Sequence, residues 1–301
     1  MEKKQTATAK LLSRFRKFRY YLVLEGIAVG IAAGLVTVLF RIVLEQADNI
    51  RQQIGAYLAQ FTWAILIWLV VLCGLAALVT LLLRWEPLIG GSGIPQVEGE
   101  LRGGISQRWW RVLLAKFTGG VLAIGAGLSL GREGPSIQLG AMSGQGISRI
   151  LDRGKTEERY LMTCGASAGL AAAFHAPLAG MMFSLEEIHK GFSVSLLMSV
   201  MTASVTADYI ASHIMGIDPV FQFELEHVLP QDYYWILVIL GAVLGVMGAL
   251  YNKVMLLAQD LYKKPEFLGV TGRIVIAFMA AGVMAVLFPC VLGSGGDLIT
   301  D

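Results

Sequence analysis

The sequence predicts an all-α, multispanning membrane protein whose helices are broken at several points. Composition is the first reason. Of 301 residues, 55% are hydrophobic and 15% are charged, where a soluble globular chain carries about 25% charged residues. Mean hydropathy is +0.65. The second reason is run length, because several apolar stretches reach the ~20 residues that cross a hydrocarbon core as a helix. The third is punctuation: 35 residues are glycine, against a usual share of about 7%, and prolines interrupt the apolar runs. A net charge of +2 gives no argument for nucleic acid.

Residues 1–20 form a basic segment, with Lys3, Lys4, Lys10, Arg14, Arg16, Lys17 and Arg19 set against Glu2 alone. The positive-inside rule places this end in the cytoplasm. The apolar run that follows is too long for a cleaved leader and has no small-residue cleavage site after it, so it reads as the first span. Spans are predicted at roughly 21–44, 62–83, 112–130, 134–150, 160–185, 194–216, 233–258 and 272–292. Gly26, Gly30 and Gly34 recur at four-residue spacing, the pattern of close helix packing. Arg108-Trp109-Trp110-Arg111 reads as an interfacial anchor, indoles at the headgroups and guanidinium groups in water. Cys73, Cys164 and Cys290 lie singly in apolar runs, which suits packing. His175, His189, His213 and His227 are scattered without an HxxxH pair, so no metal site is predicted.

One long-range echo organises the chain. Gly26-Ile-Ala-Val-Gly30 opens a span running to Gln46 and Asp48, and Gly241-Ala-Val-Leu-Gly245 opens one running to Gln259 and Asp260. A second span then leads to Gly90-Gly91-Ser92-Gly93 in the first case and Gly293-Ser294-Gly295-Gly296 in the second. Internal repeats are the building plan of transporters with midplane sites. The expected division is 21–218 for one repeat and 219–301 for the start of another. The second copy stops soon after its glycine-serine cluster, so a partial chain is expected.

The chemistry concentrates at three breaks. From Phe117 to Ile147 the only charged residues are Arg132 and Glu133, inside Gly131-Arg132-Glu133-Gly134-Pro135. An ionisable group at membrane depth marks a functional site by default. Proline fits the first turn of a helix, where its missing N–H is no loss, so free backbone N–H groups are expected beside Glu133. Gly90-Gly91-Ser92-Gly93-Ile94-Pro95 repeats that logic, with Ser92 as a hydroxyl donor at a second helix start. Helix starts favour anions. A deprotonated Glu133 resembles an anion and can take its place; protonated, it loses its attraction for the helix ends and yields. Proton and anion are then reciprocally coupled. Ala173-Phe174-His175-Ala176-Pro177-Leu178-Ala179-Gly180 is the third break, opening a helix that ends in Glu186-Glu187, where Phe174 is a candidate lining residue. Two carboxylates at a helix C-terminus oppose its dipole, which points to proton handling. Gly165-Ala-Ser167-Ala-Gly169 matches the G-x-S-x-G nucleophile elbow, with His175 eight residues on, but small-residue helix packing accounts for it. An intramembrane serine protease is the alternative from the enzyme class.

Taken together, Gly91-Ser-Gly-Ile-Pro95, Gly131-Arg-Glu-Gly-Pro135 and Ala173-Phe-His-Ala-Pro-Leu-Ala-Gly180 followed by Glu186-Glu187 resemble the signatures of CLC chloride channels and proton/chloride antiporters. The resemblance implies a CLC-type inverted-repeat fold, of which the chain holds the first repeat and the start of the second. It implies a homodimer in the plasma (inner) membrane, bathed in lipid, with a separate path in each subunit for chloride and protons and no cofactor, metal or enzymatic activity. Ser92 is similar to the family's chloride-coordinating serine, with Gly93, Ile94 and Pro95 adding main chain around the anion. Glu133 is similar to the external gating glutamate, flanked by Gly131, Arg132, Gly134 and Pro135. Glu187 is similar to the internal proton-transfer glutamate, beside Glu186. Serine at 92 favours chloride over nitrate or fluoride, and the acid at 187 favours an antiporter over a passive channel. The family's second half supplies a further glycine-phenylalanine-proline motif and an anion-binding tyrosine that have no counterpart in these residues.

Overall fold

The computed structural model describes residues 7–217, 230–263, 269–287 and 292–293. Among them there is no strand, and the helices are α1 (Ala7–Gln60), α2 (Thr62–Trp85), α3 (Ile94–Leu101), α4 (Trp109–Gly125), α5 (Glu133–Ile150), α6 (Lys155–Phe174), α7 (Pro177–Phe183), α8 (Val194–Met215), α9 (Tyr234–Lys263) and α10 (Val270–Leu287). The predicted all-α, multispanning class is the observed one. Five stretches are long and apolar enough to cross a membrane on their own, within α1, α2, α8, α9 and α10. The three other predicted spans are α4, α5 and the α6–α7 pair. They are shorter or more polar, and their breaks lie where the chemistry was expected.

Three span boundaries need correction. α1 does not stop near residue 44 but continues to Gln60. Its lower half is polar and holds an i,i+3 pair, Asp48 with Arg51 at 3.1 Å; a helix can outrun its apolar stretch because water serves the polar turns. The 112–130 span ends at Gly125, after which Gly127 takes φ +96° in a turn. The 160–185 span is two helices. Pro177 pushes the residue before it out of the helical region, and Ala176 sits at φ −134°, ψ 70° after His175 in the left-handed region.

Glycine sets the packing. A methyl group built on Gly140 would overlap the carbonyl oxygen of Gly165, one on Gly144 that of Leu161, and one on Gly169 that of Ser136. These contacts pair rising residue numbers on α5 with falling ones on α6, so the two helices are antiparallel with touching backbones. Gly26, Gly30 and Gly34 of α1 meet Ser199, Ala203 and Ala207 of α8 in rising register, so α1 and α8 are parallel, and the helix-packing reading of those glycines holds. Val29, Ala33, Cys164, Ala168, Val200 and Ala207 fill the space between α1, α6 and α8. α10 lies on α2, with Gly282 against Leu72. α9 is different: every residue from Tyr234 to Tyr262 is exposed, and Gly241 and Gly245 have nothing near them.

Within the predicted anchor the two indoles part company. Arg111 lies over the rings of Trp85 and Trp110, at 5.6 and 5.2 Å. Trp109 turns inward instead, its ring against Gly146 of α5. His227, Cys290 and Ser294-Gly295-Gly296 lie outside the described residues.

Because backbone cannot yield to a new side chain, Gly144→Leu should lower the thermal midpoint of the detergent-solubilised protein by at least about 5 °C. Gly74→Ala on α2, where nothing lies within 4 Å, should leave that midpoint close to wild type.

Candidate functional site

Three short helices begin close together and run the same way. Gly134, in the first turn of α5, lies so close to Ser92 that a methyl group on it would overlap the Ser92 carbonyl oxygen. Gly93 of the α3 start faces Gln138, and Glu100 near the end of α3 bonds Gln145 of α5 at 2.5 Å. The register rises on both helices, so α3 and α5 are parallel. α7 folds back along α6, Gly180 meeting Ser167 and Ala171, which makes it parallel to α5 as well. Its start is tied to that of α5 by the Arg132 guanidinium, 5.6 Å from the centre of the Phe174 ring.

Each start is built by its sequence. Gly93 at φ +101° turns the chain into α3, a backbone that glycine adopts freely. Pro95 follows at the second helical position, and the first internal bond is Val97 N–H to Gly93 O at 3.1 Å. The N–H groups of Gly93 and Ile94 therefore have no carbonyl within the helix. In α5 the first bond is Ser136 N–H to Arg132 O at 3.1 Å, Pro135 has no N–H, and those of Glu133 and Gly134 are free of helical partners. Pro177 opens α7.

The loop before α3 has its acceptors engaged. Lys116, buried on α4, donates to Ile89 O at 2.9 Å and Gly91 O at 2.8 Å. Gln138 donates to Leu88 O at 3.0 Å, and Gln96 to Gly90 O at 2.7 Å. Four successive carbonyls thus face protein donors. A loop presented to an anion through N–H and O–H groups needs its oxygens turned elsewhere, and these side chains turn them. Sequence reasoning missed this support, though Lys116 is the one charge inside the 112–130 span and could have been flagged as an intramembrane cation.

Ser92 and Glu133 come together as neighbours, and both side chains are exposed. Arg132 does not pair with Glu133; it faces Phe174. Around this pair the described residues leave both side chains open. Glu186 and Glu187 are also exposed. They ride on a π-helical turn, Ser184–His189, that continues α7. Such widened turns recur at functional sites, and nothing in the local sequence announces this one. Ten residues of helix put Glu187 roughly 15 Å beyond Pro177, toward the opposite end of the layer from Glu133. There Lys190 pairs with Glu98 at 2.7 Å, and that contact holds the Glu98 carboxyl below its ordinary value.

The nucleophile elbow is overturned. Ser167 lies in the middle of α6, fully buried, its hydroxyl against that of Ser204 on α8. His175 bonds Arg41, Asp208 and Ser212. Among the described residues no strand precedes the serine and no base faces it.

Fold and site define a class: a helical membrane protein in which aligned, broken helices begin at one spot. A family model described as voltage gated chloride channel matches residues 73–301, and the chain belongs to that family. It is 36% identical to the H(+)/Cl(-) exchange transporter ClcA of Citrobacter koseri, over 81% of this chain and 52% of the relative. To the protein of the same name from Vibrio cholerae it is 39% identical, over 79% of this chain and 52% of that one. The chain spans about half the length of the curated relatives it matches. Among solved structures it resembles a slow cyanobacterial Cl-/H+ antiporter, with a TM-score of 0.81, 31% identity, and coverage of 91% of this chain and 66% of the other. A CLC-type fluoride/proton antiporter shares the fold, with a TM-score of 0.74 at 22% identity over 93% of this chain and 69% of that one.

Beside the two glutamates, Thr163 gives its hydroxyl proton to Arg159 O at 2.9 Å, so its oxygen accepts from His189 Nδ1 at 2.9 Å. Burial, with Arg159 nearby, pushes the His189 imidazole below its ordinary 6.5. The unfolded chain thus takes that proton first as pH drops, and the stabilisation present above 6.5 is lost on acidification. A ring titration by NMR should find His189 below the free value, and Thr163→Val should remove the Nδ1–H acceptor and change the tautomer signal.

Proposed function

We propose that the protein is a proton-coupled chloride antiporter whose anion path in each subunit passes Ser92 and is gated by Glu133. The observation that carries this reading is the shared start of α3 and α5: two parallel helices, adjacent at Ser92 and Gly134, with free N–H groups and a carboxylate at the same place. Helix starts attract anions, and Glu133 is the mobile anion that competes there. Ser92 supplies a hydroxyl, Gly93 and Ile94 supply N–H groups, and Pro95 fixes the turn. Gly131, Arg132, Gly134, Pro135 and Phe174 border the path.

Coupling follows from charge. A chloride arriving at the helix starts and the ionised carboxylate of Glu133 repel each other, so anion entry favours the protonated, displaced side chain. The reverse holds equally, since the coupling free energy is one quantity seen from both ligands. Glu187, with Glu186 beside it, stands at the other end of the layer and hands protons to or from the side where the basic N-terminal segment lies. Two acids at separate depths let protons and anions diverge, which exchange requires. The relatives named H(+)/Cl(-) exchange transporters support this choice of ions.

The same reading makes the protein a homodimer of the plasma (inner) membrane with a cytoplasmic N-terminus, working without cofactor. Residues 21–218 form its first repeat and 219–301 open the second. Gly91 and Gly293, placed alike in the two copies, share φ values of +74° and +75°, which supports that division. A passive chloride channel of the same fold is the second reading, favoured by the family's description.

In liposomes holding the full-length protein, an imposed chloride gradient should drive uphill proton movement. Glu187→Gln should cut the proton flux at least about fivefold and spare chloride; unchanged fluxes of both would remove Glu187 from the mechanism. Glu133→Gln should abolish the dependence of chloride flux on the proton gradient. Chloride flux with no proton movement in the wild type would select the channel.

A further inference from the structure

A second cluster of ionisable side chains lies next to the site, and of its members only His175 falls within the three motifs. Arg41, in the C-terminal half of α1, is more than nine-tenths buried. It touches no carboxylate among the described residues. One guanidinium nitrogen donates to Ala172 O at 2.9 Å, at the C-terminal end of α6, and to Nε2 of His175 at 3.1 Å. The other ring nitrogen of His175, Nδ1, lies 3.3 Å from Asp208 Oδ1 and 3.3 Å from Ser212 Oγ, both on α8. Three helices distant in sequence thus meet on one imidazole, and that imidazole sits at the left-handed turn, φ +53°, between α6 and α7.

Hydrogen-bond chemistry fixes the protonation. A guanidinium has no acceptor atom, so Nε2 must offer its lone pair to Arg41. The ring proton is then on Nδ1, where Asp208 accepts it. The result is a relay of carboxylate, neutral imidazole and guanidinium, in which the buried charge of Arg41 is answered by Asp208 through the ring. His175 follows Phe174 directly, and the Phe174 ring faces Arg132, the neighbour of Glu133.

We propose that His175 is a positioning residue that locks the α6–α7 turn, and with it Phe174 and Arg132, through the relay Asp208–His175–Arg41, and that a second proton on Nε2 breaks the lock. An Nε2–H has no lone pair for Arg41, so protonation replaces a bond by the contact of two cations. The groups that face this imidazole are Arg41 on α1 and Asp208 and Ser212 on α8; behind Arg41 lie the charges of Arg132, at the α5 start beside Glu133, and of Glu45, further along α1. Arg41 and Arg132 oppose the added proton and Asp208 favours it. Acidification on the Glu133 side therefore loosens the turn beside the gate in a step separate from titration of the gate itself. This deepens the transport reading and rests on it for its functional consequence, but the relay stands without it.

The test uses the full-length protein. Ring nitrogen shifts of His175, assigned by comparison with His175→Asn, should show the neutral Nδ1–H tautomer at about pH 8 and a single protonation step below it. Asp208→Asn should move that midpoint down, and Arg41→Gln should move it up, each by about one unit. A residue with only a packing role gives no such opposed pair. In liposomes, chloride flux through Glu133→Gln, whose gate no longer titrates, should keep a pH step that disappears in Glu133→Gln/His175→Asn. An Nε2–H tautomer, shifts of the same sign in the two variants, or an unaltered flux profile on removing His175 would each overturn the proposal. If the full-length protein moves no chloride, the transport reading fails, and the tautomer and the opposed shifts still decide the relay. Should the variants not fold, the wild-type tautomer alone decides it.

Discussion

The contact between backbones at five glycines governs what the rest of this molecule can do. Gly134 lets α5 begin against the Ser92 carbonyl, and Gly140, Gly144, Gly165 and Gly169 let α5 and α6 touch along their length. In a bilayer no hydrophobic gain drives helices together, so small residues that admit close approach carry the association. Here they do more than hold the bundle. They fix the height at which α5 starts relative to α3, and α6 in turn fixes α7. The juxtaposition of Ser92, Glu133 and Phe174 is thus a product of packing, not of any bond among those side chains.

Around that frame the polar groups play supporting parts. Lys116, Gln138 and Gln96 take up the carbonyls of residues 88–91, so the loop before α3 is held by donors from three helices. A buried ammonium is expensive, and satisfying it with two carbonyls offsets part of that cost. Arg41 and His175 do the equivalent for the α6–α7 turn. In both places a long or planar donor reaches across from a different helix to fix a short irregular segment.

Much of this was legible in the amino acids. Pro95, Pro135 and Pro177 each announce a helix start, and all three stand within the first three helical positions. Gly26, Gly30 and Gly34 announced the α1–α8 seam. What the chain concealed was of two kinds. Hydropathy cannot report where a helix ends once it leaves the apolar zone, which is why α1 was read too short, nor can it see a left-handed residue inside an apolar run, as at His175. The relations that depend on the fold were concealed too. Arg41 and His175 are 134 positions apart, Trp109 turns inward while Trp110 does not, and Ser167 matches an elbow motif by its neighbours' smallness alone.

The far ends of the three aligned helices carry a consequence. α3 is followed by Arg102, the last turn of α5 contains Arg149, and the π turn after α7 gives way to Lys190. Each of those cations is paired with a carboxylate, Arg102 and Lys190 with Glu98 and Arg149 with Glu158, so the far ends are closed by ion pairs. At the beginnings Arg132 and Glu133 form no ion pair with each other, and the carboxylate stands beside backbone N–H groups without helical partners. What remains unclosed is the end where the helices begin, and the charge it presents there changes when a single side chain, that of Glu133, moves.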